Sequence, residues 1–226
     1  MSKLQLVRAN GHAMVNSVVP PITEAELLAA LLAGEKAAFE HLVREYHQPM
    51  KQVARAIIGE GQAEEAVQEG WISVIHGLRG FEGRSSLKTW LFTIVANEAK
   101  SLLRKTRSGQ GKREVAIDDR LESGGLLDAA RWQKDGHWME VPGIWHDNSP
   151  ETLLSHEDFR NCLDKTLLRL TQDQRAALTL RDYQGLELQE ICNILGLGAS
   201  NLRVLIHRAR LRVYAMVDHF EETGQC

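Results

Sequence analysis

From residue 23 onward, apolar residues recur every three or four positions, and no segment alternates convincingly with period two. The pattern predicts helices. Thr23 reads as a helix cap, with Glu24 and Glu26 in the first turn, where acids favour the helix dipole. Leu27, Leu28, Leu31 and Leu32 form its stripe, interrupted by Gly34. A longer helix carries Phe39, Leu42, Val43, Tyr46, Met50, Val53, Ala54 and Ile57, and Gly59 and Gly61 end it. A third runs from Gln62 to about Leu78, with Val67, Trp71, Val74, Ile75 and Leu78 on one face. After a loop at residues 80–85, Ser86 can cap a fourth helix with the stripe Leu87, Trp90, Leu91, Ile94, Val95 and Leu102. Its other face, Thr89, Thr93, Asn97, Lys100 and Arg104, is polar and reads as free to meet a ligand.

Periodicity is lost over 107–149, where Trp132, Trp138 and Trp145 lie among glycines and acids. Helices resume at about 151–169, 172–183, 187–195 and 199–218. The fold class expected is all-α, as two small helical domains joined by a long acidic linker. The boundaries are a flexible arm at 1–22, a first domain at 23–107, the linker at 108–149 and a second domain at 150–220.

Composition adds little until charge is followed along the chain. The 226 residues are 43% hydrophobic and 25% charged, which excludes collagen and a fully disordered chain. The net charge of -3 hides a segregation. Residues 84–113 hold eight basic side chains against the single acid Glu98. Residues 114–165 hold twelve acids against five bases, and residues 203–212 hold four arginines and no acid. Two basic segments flanking an acidic one suggest two contacts with one polyanion. Solvated basic helix faces are the plainer reading.

The cysteines Cys162, Cys192 and Cys226 are odd in number and widely spaced, which argues against a disulfide framework and fits a reducing, cytoplasmic compartment. The longest apolar run, Leu27–Ala33, is far short of a membrane span of roughly 20 residues. No secretory signal is evident, so no membrane insertion is expected.

Residues 185–210 read as helix, short turn at Gly196-Leu197-Gly198, and helix. Leu188, Ile191, Cys192 and Leu195 would be the buried side of the first, and Leu202, Ile206, Ala209 and Val213 of the second. Arg203, His207 and Arg210 then share the opposite face, with Ser200 nearby. That is a helix-turn-helix arrangement, whose second helix enters a major groove. A helical hairpin with an exposed basic face is the alternative.

Two runs carry a resemblance. One is Ala63-Glu64-Glu65-Ala66-Val67-Gln68-Glu69-Gly70-Trp71-Ile72, followed by Phe81-Glu82-Gly83 and by Leu87-Lys88-Thr89-Trp90-Leu91-Phe92-Thr93-Ile94-Val95-Ala96-Asn97. The other ends in His207-Arg208-Ala209-Arg210, with Gly185-Leu186 and Glu190-Ile191 upstream. Together they resemble a bacterial RNA polymerase sigma factor of the extracytoplasmic-function (ECF) type, in the sigma-70 family, over roughly two-thirds of the chain. The resemblance implies a non-enzymatic protein, with no catalytic residue, cofactor or metal. It implies as partners core RNA polymerase, through its beta-prime clamp and beta flap, promoter DNA, and an anti-sigma factor.

It further implies that Glu64, Glu65, Gln68, Glu69, Trp71 and Ile72 bind core polymerase. Trp71 would be a buried anchor or a core residue. Phe81, Arg84, Ser86, Lys88, Thr89, Asn97, Lys100 and Arg104 would meet the minus-ten DNA. Ser200, Asn201 and Arg203 would read bases of the minus-35 element, and His207, Arg208 and Arg210 would hold its backbone. Trp90 is expected in the core, and the linker is either a thread toward the active centre or a solvated spacer.

Three positions depart from the family pattern. Ala66 replaces a larger apolar residue, Gly198 a capping Ser, and Leu205 a frequent Arg. Two other readings stand beside this one: a helical regulator that binds DNA without polymerase, and a metal-dependent enzyme using His137, His146, His156 and Cys162. The spacings of those four match no short zinc motif.

Overall fold

The computed structural model describes residues 23–109 and 157–226, with backbone only at 107–109. Every element among them is helical. In chain order they are α1 (Glu24–Leu32), α2 (Lys36–Ile58), α3 (Glu60–Gly77), α4 (Leu87–Gly109), α5 (Glu157–Arg169), α6 (Gln172–Leu178), α7 (Leu188–Leu195) and α8 (Ala199–Thr223). A single 3-10 turn, Leu78–Gly80, follows α3, and a π turn, Thr179–Tyr183, follows α6. The expected arm at 1–22, nearly all of the expected linker, and the proposed helical start at 151–156 lie outside the described residues.

Helix starts follow the chemistry read from the chain. The Thr23 hydroxyl accepts from the Glu26 amide, and the Glu26 carboxylate accepts from the Thr23 amide, a reciprocal capping box. Thr171 and Gln174 repeat it at α6. Ser86 caps α4 by accepting from the Thr89 amide at 3.1 Å. Gly61 does not end α2, as expected, but lies inside α3. Gly59 alone makes the break, at φ +91°, a conformation that L side chains rarely adopt.

Helices α2, α3 and α4 pack against one another, with Leu42, Met50, Val53, Val67, Val74, Leu87, Leu91, Phe92 and Val95 fully buried between them. Gly70 of α3 faces both α2 and α4 at close range. A Cβ there would stand 3.4 Å from Met50 Cε and 3.7 Å from Val95 Cα. The same apolar cluster continues into the second half of the chain, through Ala177, Leu180, Leu186, Ile191, Ile194 and Leu202. The two halves are therefore docked, with α6 on α2 and α7 on α4.

A second, smaller cluster joins α5 to the far end of α8: Phe159, Cys162, Met216 and Val217, edged by Leu163, Val213 and Phe220. Here the cysteine reading is corrected. Cys162 and Cys226 are bridged, with Cα atoms 5.1 Å apart, while Cys192 is a buried free thiol. Spacing in sequence gave no hint of the pair, because α5 and α8 are brought together only by packing.

Two measurements check this packing. Gly70→Leu forces a branched side chain between α3 and α4. It should destabilise the first half by about 1–3 kcal/mol in thermal or urea unfolding. The bridge closes a loop of 64 residues. Its loss in Cys226→Ser should cost up to about 4 kcal/mol under oxidising conditions and nothing in excess reductant.

Candidate nucleic-acid interface

The polar face of α4 is not open. Along it, the Lys88 ammonium donates to the Gln184 carbonyl at 2.5 Å. Thr89, only 6% exposed, donates from its hydroxyl to Glu190 Oε1 at 2.5 Å. Lys100 donates to the carbonyls of Ile194 and Leu195 at 2.8 and 3.0 Å. The reading of this face as free to meet a ligand is thus corrected at Lys88, Thr89 and Lys100, which α7 and the segment before it cover. Burial lowers the pKa of Lys100. Asn97 and Arg104, on the same helix, are exposed.

The loop before α4 is also partly engaged. Phe81 packs on Trp90 with ring centroids 5.1 Å apart, and both are half-buried against the core. Arg84 is exposed and donates to Glu82 Oε2 at 2.6 Å. Ser86 shares a 2.8 Å hydrogen bond with Thr89.

On α3, Glu65, Gln68, Glu69 and Ile72 lie three and four residues apart and are all exposed, with Ile72 at 48% and its neighbour Ile75 at 55%. Ile75 was expected on the inner stripe; it faces out. Glu64 turns instead toward α2, where its carboxylate pairs with Lys51 at 2.9 Å and with His47 at 3.5 Å. The hydrogen bond from Lys51 holds its carboxyl below the usual carboxylate range. Trp71 is also tied inward. Its indole N–H donates to His47 Nδ1 at 3.3 Å, and its ring meets Phe39 edge-on. Ala66 is fully buried, so its small size belongs to the core and not to the outer surface.

In the second half, α7 ends at Gly196 in the left-handed conformation, φ +73°, which lets the chain reverse into α8 within three residues. Gly198 caps α8 without a side-chain bond. Ile191, Cys192, Leu202, Ile206 and Ala209 are buried as expected, whereas Leu188, Leu195 and Val213 are half-buried and Ile194 takes a core place. Ser200, Asn201 and Arg203 are exposed on the first turns of α8.

His207, Arg208 and Arg210 are half-buried. Burial lowers the pKa of His207, which favours a neutral hydrogen-bonding ring over a cation. Arg210 does not project freely beside Arg203. Its side chain is 16% exposed and forks onto Asp182 at 2.9 and 2.5 Å.

Residues that the sequence reading passed over hold the two halves together. Gln52 on α2 accepts from Gln184 at 3.0 Å and donates to Tyr183 at 3.1 Å. Arg175 donates to the Ala56 carbonyl at 3.0 Å. The one sequence signal near them is the acidic pair Glu187 and Glu190, three residues apart, which builds the cap of α7. Among the described residues no group of His, Cys, Asp and Glu is placed to hold a metal. His137, His146 and His156 lie outside those residues, and Cys162 is spent in the bridge. No described helix is long and apolar enough to cross a membrane.

Comparison with known proteins bears on these surfaces directly. Residues 42–109 match Sigma-70 region 2, and residues 160–213 match Sigma-70, region 4. The ECF RNA polymerase sigma-E factor of Escherichia coli (strain K12) is 30% identical over 190 residues, covering 84% of this chain and 91% of its own. The RNA polymerase sigma-H factor of Pseudomonas aeruginosa is 28% identical over 186 residues, covering 82% of this chain and 89% of its own.

In fold, the chain is similar to the sigma factor RpoE of Bartonella quintana, solved in complex with the anti-sigma factor NepR. The TM-score is 0.52 at 22% identity, covering 80% of this chain and 96% of that one. It is similar also to CnrH, solved with the cytosolic domain of CnrY, with a TM-score of 0.51 at 22% identity, covering 85% of this chain and 96% of that one. With two helical halves of the right kind in the right order and relatives matched over most of their length, the chain belongs to the ECF sigma factors of the sigma-70 family, the proteins that bring promoter recognition to RNA polymerase.

Proposed function

We propose that each surface performs one step of initiation. The observation that carries this division is the exposure of Ser200, Asn201 and Arg203 at the start of the second helix of the helix-turn-helix, where side chains reach base edges. These three residues read the minus-35 element, and Arg208 and His207 hold its backbone. Arg210 acts mainly through Asp182, fixing α8 against the π turn.

Glu65, Gln68, Glu69 and Ile72 dock on the polymerase clamp as an acidic rim around an exposed apolar residue. Glu64 and Trp71 support that face from behind, through Lys51 and His47. On α4, Lys88, Thr89, Asn97, Lys100 and Arg104 capture the minus-ten DNA as it opens, with Arg84 and Ser86 beside them. An anti-sigma factor would compete for one of these faces, and the regulon would be one of stress or the cell envelope.

Transcription in vitro tests the reading. Sigma-free core polymerase supplemented with this chain should initiate from a subset of promoters in a genomic library; no initiation from any of them would defeat the proposal. Arg203→Ala should change the preference at one upstream base pair by about 1–3 kcal/mol and leave melting rates at a consensus site unaltered. Lys100→Ala should slow open-complex formation, followed by permanganate reactivity, and leave the upstream preference intact. Glu65→Lys with Glu69→Lys should weaken association with core polymerase at least about tenfold in a fluorescence titration, with the loss easing as salt is raised.

A further inference from the structure

The two most exposed large hydrophobic side chains among the described residues are Tyr183, at 69%, and Leu168, at 66%. Both border one cavity of about 560 Å³, the size of pocket that takes a small organic molecule. Its walls come from α2, α5, α6 with the π turn, and α8. Much of the lining is apolar: Leu163 and Leu167, one turn apart on α5, with Leu168, Leu178 and Val213. None of the residues assigned above to base reading or to clamp docking lines it.

The cavity also holds a cation. Arg175 reaches from α6 to α2, where its Nε donates to the Ala56 carbonyl at 3.0 Å. Its two terminal amino groups have no partner among the described residues. Burial, together with Arg55 nearby, pushes the guanidinium pKa down, yet a guanidinium keeps its proton in a protein. Arg175 is therefore a half-buried positive charge without an acid of its own. The other arginines of the cavity are matched, Arg55 by Glu60 at 2.6 Å and Arg210 by Asp182. Asp164, which also borders the cavity, is exposed and pairs with none of the three.

A second donor is held close by. The Tyr183 hydroxyl accepts from Gln52 Nε2 at 3.1 Å, which leaves its own proton to donate. Gln52 and Ala56 are one turn apart on α2, so hydroxyl and guanidinium are anchored at adjacent turns of one helix. An anion with an apolar body satisfies both parts of the cavity. A neutral apolar ligand would leave Arg175 desolvated and unpaired, and an inorganic anion would leave the leucines in water.

We propose that this cavity binds a small amphipathic carboxylate, of the class of a medium-chain fatty acid, with its carboxylate on Arg175 and its apolar body against α5.

Decanoate, titrated into the full chain by calorimetry below its micelle threshold, should bind at a single saturable site and raise the melting temperature. Decanol, with the same chain length and no charge, should bind at least about tenfold more weakly. Arg175→Gln should lower the affinity for decanoate at least about tenfold and leave that for decanol within about twofold. Arg175→Lys, which keeps the charge, should retain a preference for decanoate over decanol. Leu168→Glu alters an exposed side chain, which spares folding, and should weaken decanoate more than decanol. Thermal melting identifies an Arg175 variant that fails to fold, and Leu168→Glu then decides.

Absence of saturable decanoate binding to the native chain overturns the site, as does equal affinity for decanoate and decanol. A folded Arg175→Gln or Leu168→Glu variant that binds decanoate as the native chain does overturns it too. Co-sedimentation with phosphatidylglycerol vesicles, without binding of free decanoate, would assign the affinity to a membrane surface and likewise overturn it.

Discussion

Helix α4 has two faces and both must be satisfied. Its apolar face, with Leu87, Leu91, Phe92 and Val95, closes the core against α2 and α3. Its polar face carries Lys88, Thr89 and Lys100, donors that are costly to bury without acceptors. In the free chain the acceptors come from α7 and the segment before it. This requirement explains why the two halves, which the family uses to reach separate DNA elements, pack here as one body with one apolar cluster. It also explains why a helix-turn-helix domain, normally described by its outward helix, has its first helix engaged elsewhere.

Other surfaces are left outward. The Glu65, Gln68, Glu69 and Ile72 stripe of α3 faces away from the junction, and so does the start of α8. Under the proposed assignments, the polymerase-docking and upstream-recognition surfaces are open, whereas Lys88, Thr89 and Lys100 of the minus-ten face are covered.

Much of the fold was legible in the chain. Thr23 with Glu26, Thr171 with Gln174 and Ser86 before Leu87 marked helix starts, because a capping side chain acts within three residues of itself. Periodicity found the buried stripes of α2, α4 and α8, because burial against any neighbour leaves the same trace. That same indifference hid the rest. A polar stripe reads identically whether water, DNA or another helix faces it, so α4 was taken as free. Glu190 was visible as an apolar run's flank, but its second oxygen, which holds Thr89 from 101 residues away, left no mark on the sequence. Cys162 and Cys226 were hidden for the same reason: 64 residues separate them and only the packing of α5 on α8 joins them. Arg210 shared a helix face with Arg203 on the wheel, and Asp182 then claimed it.

The docking of the two halves through the polar face of α4 is tested most directly by distance. Spin labels at positions 40 on α2 and 189 on α7, measured by double electron–electron resonance, report whether the halves are together. The chain should give one narrow distribution, and Gln52→Leu, which leaves the buried Gln184 amide without its acceptor, a broader one reaching longer distances. A broad distribution in the native chain would contradict the docking, since no single packing of α7 on α4 would then hold Thr89 and Lys100.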